Sequence, residues 1–200
     1  PTDIRRTGSI IDVENDLDDY IYGADAQMEE TGFWQKKYIP VTAYDEGTLI
    51  PSYAILKDAA PTDYQLAHTQ DHVLIRFADV LLMHSELSEN ATSMNLVRSR
   101  AGLTPVAYSL EALKRERRWE LAFEGLRYFD LMRWHDAADA LAAQEGAAIK
   151  NKGVDTQMRG FGGGYRARYE ATGGFWAIPQ NEIALSDGVL TQNAGWGTPA

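Results

Sequence analysis

Eight aromatic side chains lie in the first third of this 200-residue chain, where hydrogen-bonding groups accompany them. Flat rings stack against the C–H faces of sugars, and amide, carboxylate and guanidinium groups fix a ligand by hydrogen bonds. The aromatic residues concerned are Tyr20, Tyr22, Phe33, Trp34, Tyr38, Tyr44, Tyr53 and Tyr64. These residue types suit ligand binding, and packing of each ring on a hydrophobic core is the alternative at every position.

Side chains that could perform catalysis or hold a metal show no such spacing. His68 and His72 are four residues apart, but neither they nor His84 and His135 form an HExxH or other metal-binding pattern. No GxSxG sequence supplies a serine nucleophile, and 29 acidic residues are too many for a catalytic carboxylate pair to be recognised. We therefore predict no enzyme activity, no catalytic residues, no metal and no cofactor.

Two segments resemble ligand-binding loops in composition only. Residues 12–19 place oxygen atoms at alternating positions, but Leu17 and Gly23 stand where a calcium-binding EF-hand loop has glycine and glutamate. The glycine run at 160–164 lacks the Lys-Ser/Thr of a phosphate-binding loop. A solvated acidic loop and a flexible loop are the favoured interpretations.

Hydrophobic periodicity predicts that helices follow an irregular segment over residues 1–70, which has short strands at Ile10–Val13 and Tyr38–Tyr44. The first helix is expected to begin at Asp71 as N-cap and to end near Leu87. Its residues are apolar on nearly all sides, which predicts a central, buried helix. Arg76 and Asp79 are three residues apart, so we expect them to pair on it.

Three more helices are predicted before residue 143. One begins at Ser93 and ends at Gly102; the next begins at Ser109, has Glu111 in its first turn, and ends near Gly125. Tyr128–Ala142 forms the last. The aromatic residues expected to face inward on these helices are Trp119, Phe123, Phe129 and Trp134. The predicted class is mainly α, with tetratricopeptide-like antiparallel hairpins over 71–142 and an irregular segment over 143–200.

Composition limits the classes of partner. The formal charge of −10 repels a phosphate backbone, which argues against nucleic acid. The chain contains no cysteine, and no run of about 18 apolar residues that would cross a membrane. The opening Pro1–Arg6 is not a signal peptide, so the protein is either cytoplasmic or lacks an export region here.

Four motifs in order resemble the SusD/RagB family. Leu74–Met83 resembles its "IRYADVLLMYAEA" helix, although Phe77 and His84 replace tyrosines. Asn95–Leu103 is similar to "LNxVRxRAGL", and Glu116–Trp134 is similar to "ERRxELAFEGxRyfDLxRW". The closing "IPxxEI…LxQNpG" is matched by Phe175–Ile183 with Thr191–Asn193, and Gly32–Tyr38 resembles the "GxxxxKY" segment that precedes the helices.

The resemblance implies a non-catalytic lipoprotein on the outer face of a bacterial outer membrane. Members bind an oligosaccharide or other nutrient and cover a SusC-type TonB-dependent transporter. The match covers the carboxy-terminal part of the family pattern, so residues 1–200 are expected to form one SusD-like region of a longer protein. The signal peptide, the lipidated cysteine and further helices are absent from this sequence. Membrane attachment is expected only through that lipid anchor.

In this family part of the ligand surface lies upstream of the "IRYADV" helix, where the aromatic residues of residues 1–70 fall. The predicted ligand-binding residues are Trp34, Tyr38, Tyr44 and Tyr53. Charged residues of the third motif, among them Glu120, Glu124 and Asp130, are instead expected to be partly buried and paired. The alternative function is a helical-repeat scaffold that binds proteins and no small ligand.

Overall fold

The chain forms two compact units in a computed structural model. The structure describes residues 3–16, 22–23, 30–38, 43–45, 48–50, 71–160 and 163–197. Unit 1 comprises Pro1–Tyr20 and Gly32–Arg127, and unit 2 comprises Ile21–Thr31 and Tyr128–Ala200. The predicted mainly helical class is confirmed. The tetratricopeptide-like pairing and the expected single region stay predictions.

Unit 1 contains four short strands and four helices in its described residues. The antiparallel pairs are β1 with β2 and β3 with β4. The elements are α1 (Ile4–Ser9), β1 (Ile10–Asp12), β2 (Phe33–Gln35), β3 (Ala43–Asp45), β4 (Thr48–Ile50), α2 (Phe77–Ser88), α3 (Ala91–Arg100) and α4 (Leu110–Glu120).

Capping side chains fix where two of these helices begin. The predicted cap at Ser109 is confirmed, since its hydroxyl accepts from the Ala112 N–H at 3.1 Å. At the end of α3, Gly102 has the left-handed φ of +71° that a residue after a helix commonly adopts. The predicted cap at Ser93 is wrong: Asn90 caps α3 by accepting from the Thr92 N–H at 2.8 Å.

Helix α2 differs most from its prediction. It begins at Phe77 rather than near Asp71, because Arg76 has the extended conformation φ −138°, ψ 162°. Arg76 and Asp79 do not pair, since the Arg76 side chain leaves from extended backbone and does not run along the helix. Asp79 instead accepts from Arg117 Nη1 at 2.8 Å, and both side chains are buried.

The hydrophobic core of unit 1 lies between one face of α2 and helices α3 and α4. It contains Leu82, Met94, Val97, Ala112, Leu113 and Leu121. The other face of α2 is open, with Phe77 73% exposed and Leu87 88% exposed. The prediction of a helix buried on most sides is therefore wrong, because only the face with Leu82 finds packing partners among the described residues.

The prediction that Trp119, Phe123 and Leu126 form one inward-facing helical stripe is also wrong. The helix ends at Glu120, before Gly125, and Phe123 has a left-handed φ of +65°. A helical spacing therefore does not continue from Trp119 to Leu126, and both Trp119 and Phe123 are exposed.

In the described residues of unit 2, two helices precede a β-hairpin along the chain and two follow it. The elements are α5 (Arg127–Arg133), α6 (Ala137–Ala142), β5 (Ala148–Asn151), β6 (Val154–Gln157), α7 (Tyr165–Thr172) and α8 (Gln180–Leu185). The single helix predicted over Tyr128–Ala142 is divided because His135 has a φ of +60°. Phe129, predicted to face inward, is exposed, whereas Leu131 is buried.

The hairpin and the last two helices lie in the segment predicted to be irregular. Strands β5 and β6 are joined by Lys152 and Gly153, whose φ values of +51° and +77° are both positive. Two positive φ angles in a two-residue loop belong to a type I′ turn, which matches the twist of the flanking strands. In the described part of the chain, no helix is long and apolar enough to cross a bilayer.

Candidate functional site

Three glutamates form an acidic row along α4 and the turn after it. Glu116 and Glu120 are one helical turn apart, and Glu124 follows four residues later. All three are buried, with 0%, 2% and 8% of their surface exposed. An unpaired carboxylate at this depth would be costly, so these side chains require cationic partners.

Arginines from three separate segments supply partners to Glu120. Arg76, directly before α2, donates from Nη1 to Oε1 at 2.6 Å. Arg100, the last residue of α3, donates from Nη2 to the same oxygen at 2.6 Å. Arg5 of α1 donates from Nη1 to Oε2 at 2.9 Å. One carboxylate therefore joins three elements of unit 1.

The other two glutamates are paired in the same way. Glu124 accepts from Arg76 Nε at 2.7 Å and from Lys37 Nζ at 2.6 Å. Glu116 accepts from Arg5 Nη1 at 2.7 Å and from Arg98 Nη1 at 2.8 Å. The expectation that the charged residues of this motif are buried and paired is confirmed for Glu120, Glu124 and Asp130.

These pairs keep the Glu120 and Glu124 carboxylates ionised. Burial alone raises the pKa of Glu120, but hydrogen bonds from Arg76 and Arg5 outweigh it and hold that pKa below its ordinary value. Burial likewise raises the pKa of Glu124, and the bonds from Arg76 and Lys37 reverse the shift. Burial lowers the pKa of Arg76, and the two glutamates more than offset this.

Two adjoining cavities open beside this network, and together we call them the Tyr38 recess. One, of about 300 Å³, is lined by charged residues that include Arg5, Arg100 and Glu120. The other, of about 260 Å³, is lined by residues that include Lys36, Tyr38 and Val73. The residues common to both are Gly8, Lys37, Arg76 and Glu124. The described residues thus make the recess a polar space with the Tyr38 ring in its wall.

Tyr38 has the setting that a stacking residue needs. It is half-buried in the turn after β2, and its backbone N–H donates to Gln35 Oε1 at 3.0 Å, which holds that turn. Its ring lies 5.5 Å from the ring of His72, tilted by 45°, and His72 is exposed. An aromatic ring beside charged donors is the combination that binds sugars.

Trp34, another predicted ligand residue, does not line this recess. Trp34 lies on β2 directly opposite Ile11 of β1, so both side chains point to the same face of the sheet. Ile11 is buried and Trp34 half-buried, which places Trp34 beside core packing. Tyr44 lies on β3 opposite Leu49. Tyr53 lies outside the described residues.

Sequence reasoning missed other residues that lie in the Tyr38 recess or beside Tyr38. Lys36, His72 and Arg100 come from three segments that only the fold brings together. A local signal existed at Lys36, since two consecutive lysines directly precede Tyr38. Nothing in the spacing of Arg100 pointed to a site, because its α3 neighbours indicate an ordinary solvated helix end.

Unit 2 carries an aromatic pair of its own. The rings of Tyr128 and Trp176 are nearly parallel, with 7° between their planes and 6.1 Å between centroids. The Tyr128 hydroxyl donates to the Gly174 carbonyl at 2.8 Å, and the indole of Trp176 is 70% exposed. This pair offers a second flat surface to which a ring could bind.

Comparisons with known proteins agree with the motifs. The family model described as the SusD family matches residues 3–196. "SusD-like protein P25" of Formosa agariphila is 35% identical over 83 residues, an alignment that covers 34% of this chain and 16% of that protein.

Two solved structures share the fold. A "Laminarin binding SusD-like protein" superposes with a TM-score of 0.62 at 25% identity, covering 96% of this chain and 35% of that one. For surface glycan-binding protein A from Bacteroides thetaiotaomicron the TM-score is 0.63 at 24% identity, with coverages of 96% and 38%. The chain thus spans little more than a third of the length of these solved relatives. Because the family model covers nearly all of it, the resemblance of the four motifs is confirmed, and the chain belongs to the SusD family.

Proposed function

We propose that this chain is part of a non-catalytic protein that binds a glycan or other nutrient at the outer-membrane surface. The bound ligand would pass to a SusC-type TonB-dependent transporter, and a lipid anchor would hold the full-length protein to the membrane. Membership of the SusD family supports this proposal, as does the similarity to a laminarin-binding SusD-like protein.

The observation that carries the proposal is the position of Tyr38. Its half-exposed ring lines a recess that also contains Lys36, Lys37 and Arg76, whose N–H groups can donate to sugar hydroxyls. A ring for stacking and donors for orientation are the two requirements of a sugar site. Tyr38 is also one of the ligand-binding residues predicted from the sequence.

The electrostatics of the recess support binding rather than glycoside hydrolysis. A hydrolase needs one carboxyl group with a raised pKa, so that it can protonate the leaving oxygen. Here the pKa values of Glu120 and Glu124 are both lowered, and the acids are bound by arginine and lysine. Neither is suited to act as a general acid near neutral pH.

The test is a calorimetric titration of the chain with a panel of plant, host and microbial oligosaccharides. We expect saturable binding to at least one, and a loss of affinity of about fivefold in Tyr38→Ala, since stacking on an aromatic ring contributes on the order of 1 kcal/mol. Phe33→Ala is the matched control, because Phe33 is exposed on β2 and does not line the recess.

Two outcomes would contradict the proposed site. If Trp176→Ala abolished binding while Tyr38→Ala had no effect, the contact would belong to the aromatic pair of unit 2. If Tyr38→Ala lowered the melting temperature as well as the affinity for the ligand, Tyr38 would be a packing residue. Absence of binding to every oligosaccharide would contradict the function itself.

The alternative, a protein-binding scaffold without a small ligand, has one observation in its favour. Apolar side chains on and before α2 are largely exposed, among them Leu74 at 75% and Leu87 at 88%. Exposed apolar surface of this kind is typical of protein interfaces. A stable complex with the transporter, together with no saturable glycan binding, would favour this alternative.

A further inference from the structure

The Tyr38 recess carries an excess of positive charge. Among the described residues, its walls contain five cationic side chains and two carboxylates, Glu120 and Glu124. Counting the carboxylates directly bonded to these cations adds Asp3 and Glu116, which leaves five cations against four carboxylates. The protein as a whole has a formal charge of −10, so this local excess runs against the composition of the chain.

Two of the five cations keep donors available for a ligand. Arg100 donates one hydrogen bond to Glu120 and has a 64% exposed side chain, although a guanidinium has five N–H groups. Lys36 is exposed, and its ammonium donates to the Thr7 carbonyl at 3.2 Å without an acidic partner among the described residues. By contrast, Arg5 and Arg76 are each committed to two carboxylates of the acidic row.

Arg100 and Lys36 line different halves of the same recess. Arg100 lies in the wall of one cavity and Lys36 in the wall of the other, and the two cavities share Lys37 and Arg76. The Tyr38 ring stands in the half that contains Lys36. A sugar stacked on Tyr38 would therefore have a free cation beside it, and a longer ligand would also meet Arg100.

We propose that the Tyr38 recess selects an acidic glycan, whose carboxylate or sulfate groups are bound by Lys36 and Arg100 while Tyr38 stacks on a sugar ring. This inference rests on the proposed glycan-binding function and adds the chemical class of the ligand. Hydrogen bonds between a cation and an anionic oxygen are about twice as strong as neutral ones. A neutral sugar would leave the excess charge of the recess to be balanced by solvent alone.

The test compares three tetrasaccharides by calorimetry on the intact chain: a neutral β-glucan, a galacturonate and a sulfated galactan. At about 0.1 M NaCl we expect at least one acidic ligand to bind about tenfold more tightly than the neutral one. At about 1 M NaCl, where the Debye length falls from about 10 to about 3 Å, this preference should shrink. The two acidic ligands distinguish carboxylate from sulfate.

Substitutions assign the preference to its residues. Lys36→Gln and Arg100→Gln should each lower the ratio of acidic to neutral affinity about threefold, since each removes one of the two cations behind the tenfold preference. Lys36→Gln removes a single contact to a backbone carbonyl, so it keeps the test valid even if Arg100→Gln disturbs the network. Arg118→Gln is the control, because Arg118 is exposed on α4 and does not line the recess.

The outcomes separate the two proposals. Equal binding of neutral and acidic ligands, or equal loss of both in Lys36→Gln, would overturn the acidic preference and leave glycan binding standing. Binding of the neutral ligand alone would do the same. Failure of all three ligands, and of the wider panel, would overturn the proposed function together with this inference.

Discussion

Replacing Glu120 with glutamine should strongly destabilise unit 1, although the substitution is nearly isosteric. The substitution keeps the size and shape of the side chain but exchanges one carboxylate oxygen for an NH₂ group. The remaining oxygen cannot satisfy Arg5, Arg76 and Arg100 together, and the new NH₂ group points at an arginine donor.

The size of the effect follows from burial. The Glu120 side chain is 1% exposed, whereas Arg5 is 10% and Arg76 28% exposed, so water can replace the lost bonds only in part. Removing one partner of a buried ion pair costs about 3–5 kcal/mol. The lost bond to Arg100 adds little to this destabilisation, because Arg100 is 64% exposed and water can replace the bond. We expect a total of about 4 kcal/mol.

The assay is urea unfolding followed by far-UV circular dichroism. With a slope of about 2 kcal/mol per molar urea, a loss of about 4 kcal/mol moves the midpoint by about 2 M. Glu111→Gln on the same helix is the control, because Glu111 is 73% exposed and lies 3.5 Å from Lys114. Its substitution should cost less than about 1 kcal/mol. If Glu120→Gln cost no more than this control, the acidic row would not be a structural element.

Three other predictions concern stability. The pKa values of Glu120 and Glu124 are lowered in the folded state. Their ionised forms therefore stabilise the fold above an unfolded pKa of about 4.3, and this stabilisation is lost as the pH falls through the folded pKa values. Urea midpoints that stay constant from about pH 7 to about pH 3 would contradict this. Leu82→Ala should cost about 2–5 kcal/mol, whereas Leu87→Ala, 88% exposed on the same helix, should change stability by less than about 0.5 kcal/mol. Asp130→Ala should lower the melting temperature and leave glycan affinity unchanged, since the Asp130 carboxylate is buried, accepts from Arg133 and does not line the Tyr38 recess. A selective loss of affinity would show that this motif is not purely structural.

Features set by neighbouring residues could be predicted from the sequence. Ser109 caps α4 because its hydroxyl reaches an N–H three residues ahead, and Gly102 follows α3 because glycine tolerates a positive φ. The hairpin at Lys152-Gly153 had such a local signal too, since a glycine at the second loop position favours a type I′ turn. The second strand is not predicted, because three of the four residues in Val154–Gln157 are polar and show no alternation with apolar residues.

Features set by distant residues could not be predicted. The beginning of α2 depends on Arg76, whose partners Glu120 and Glu124 lie 44 and 48 positions further along the chain. Apolar residues around α2 indicated burial on all sides, but periodicity counts residue types and not the partners that cover them. The Tyr38 recess is assembled from α1, the turn after β2, Arg76, Arg100 and the acidic row, so its charge appears only in three dimensions.

The acidic row also has a consequence for the order in which unit 1 folds. Arg98 and Arg100 are separated from Glu116 and Glu120 by only 18 and 20 positions, so these contacts close short loops. Arg5 is separated from the same two glutamates by 111 and 115 positions, and closing a longer loop costs more entropy. We expect the short-range pairs to form before the folding barrier and the Arg5 pairs after it. Substituting Arg5 should then speed unfolding and leave the refolding rate nearly unchanged, so the lifetime of the native state would depend on α1.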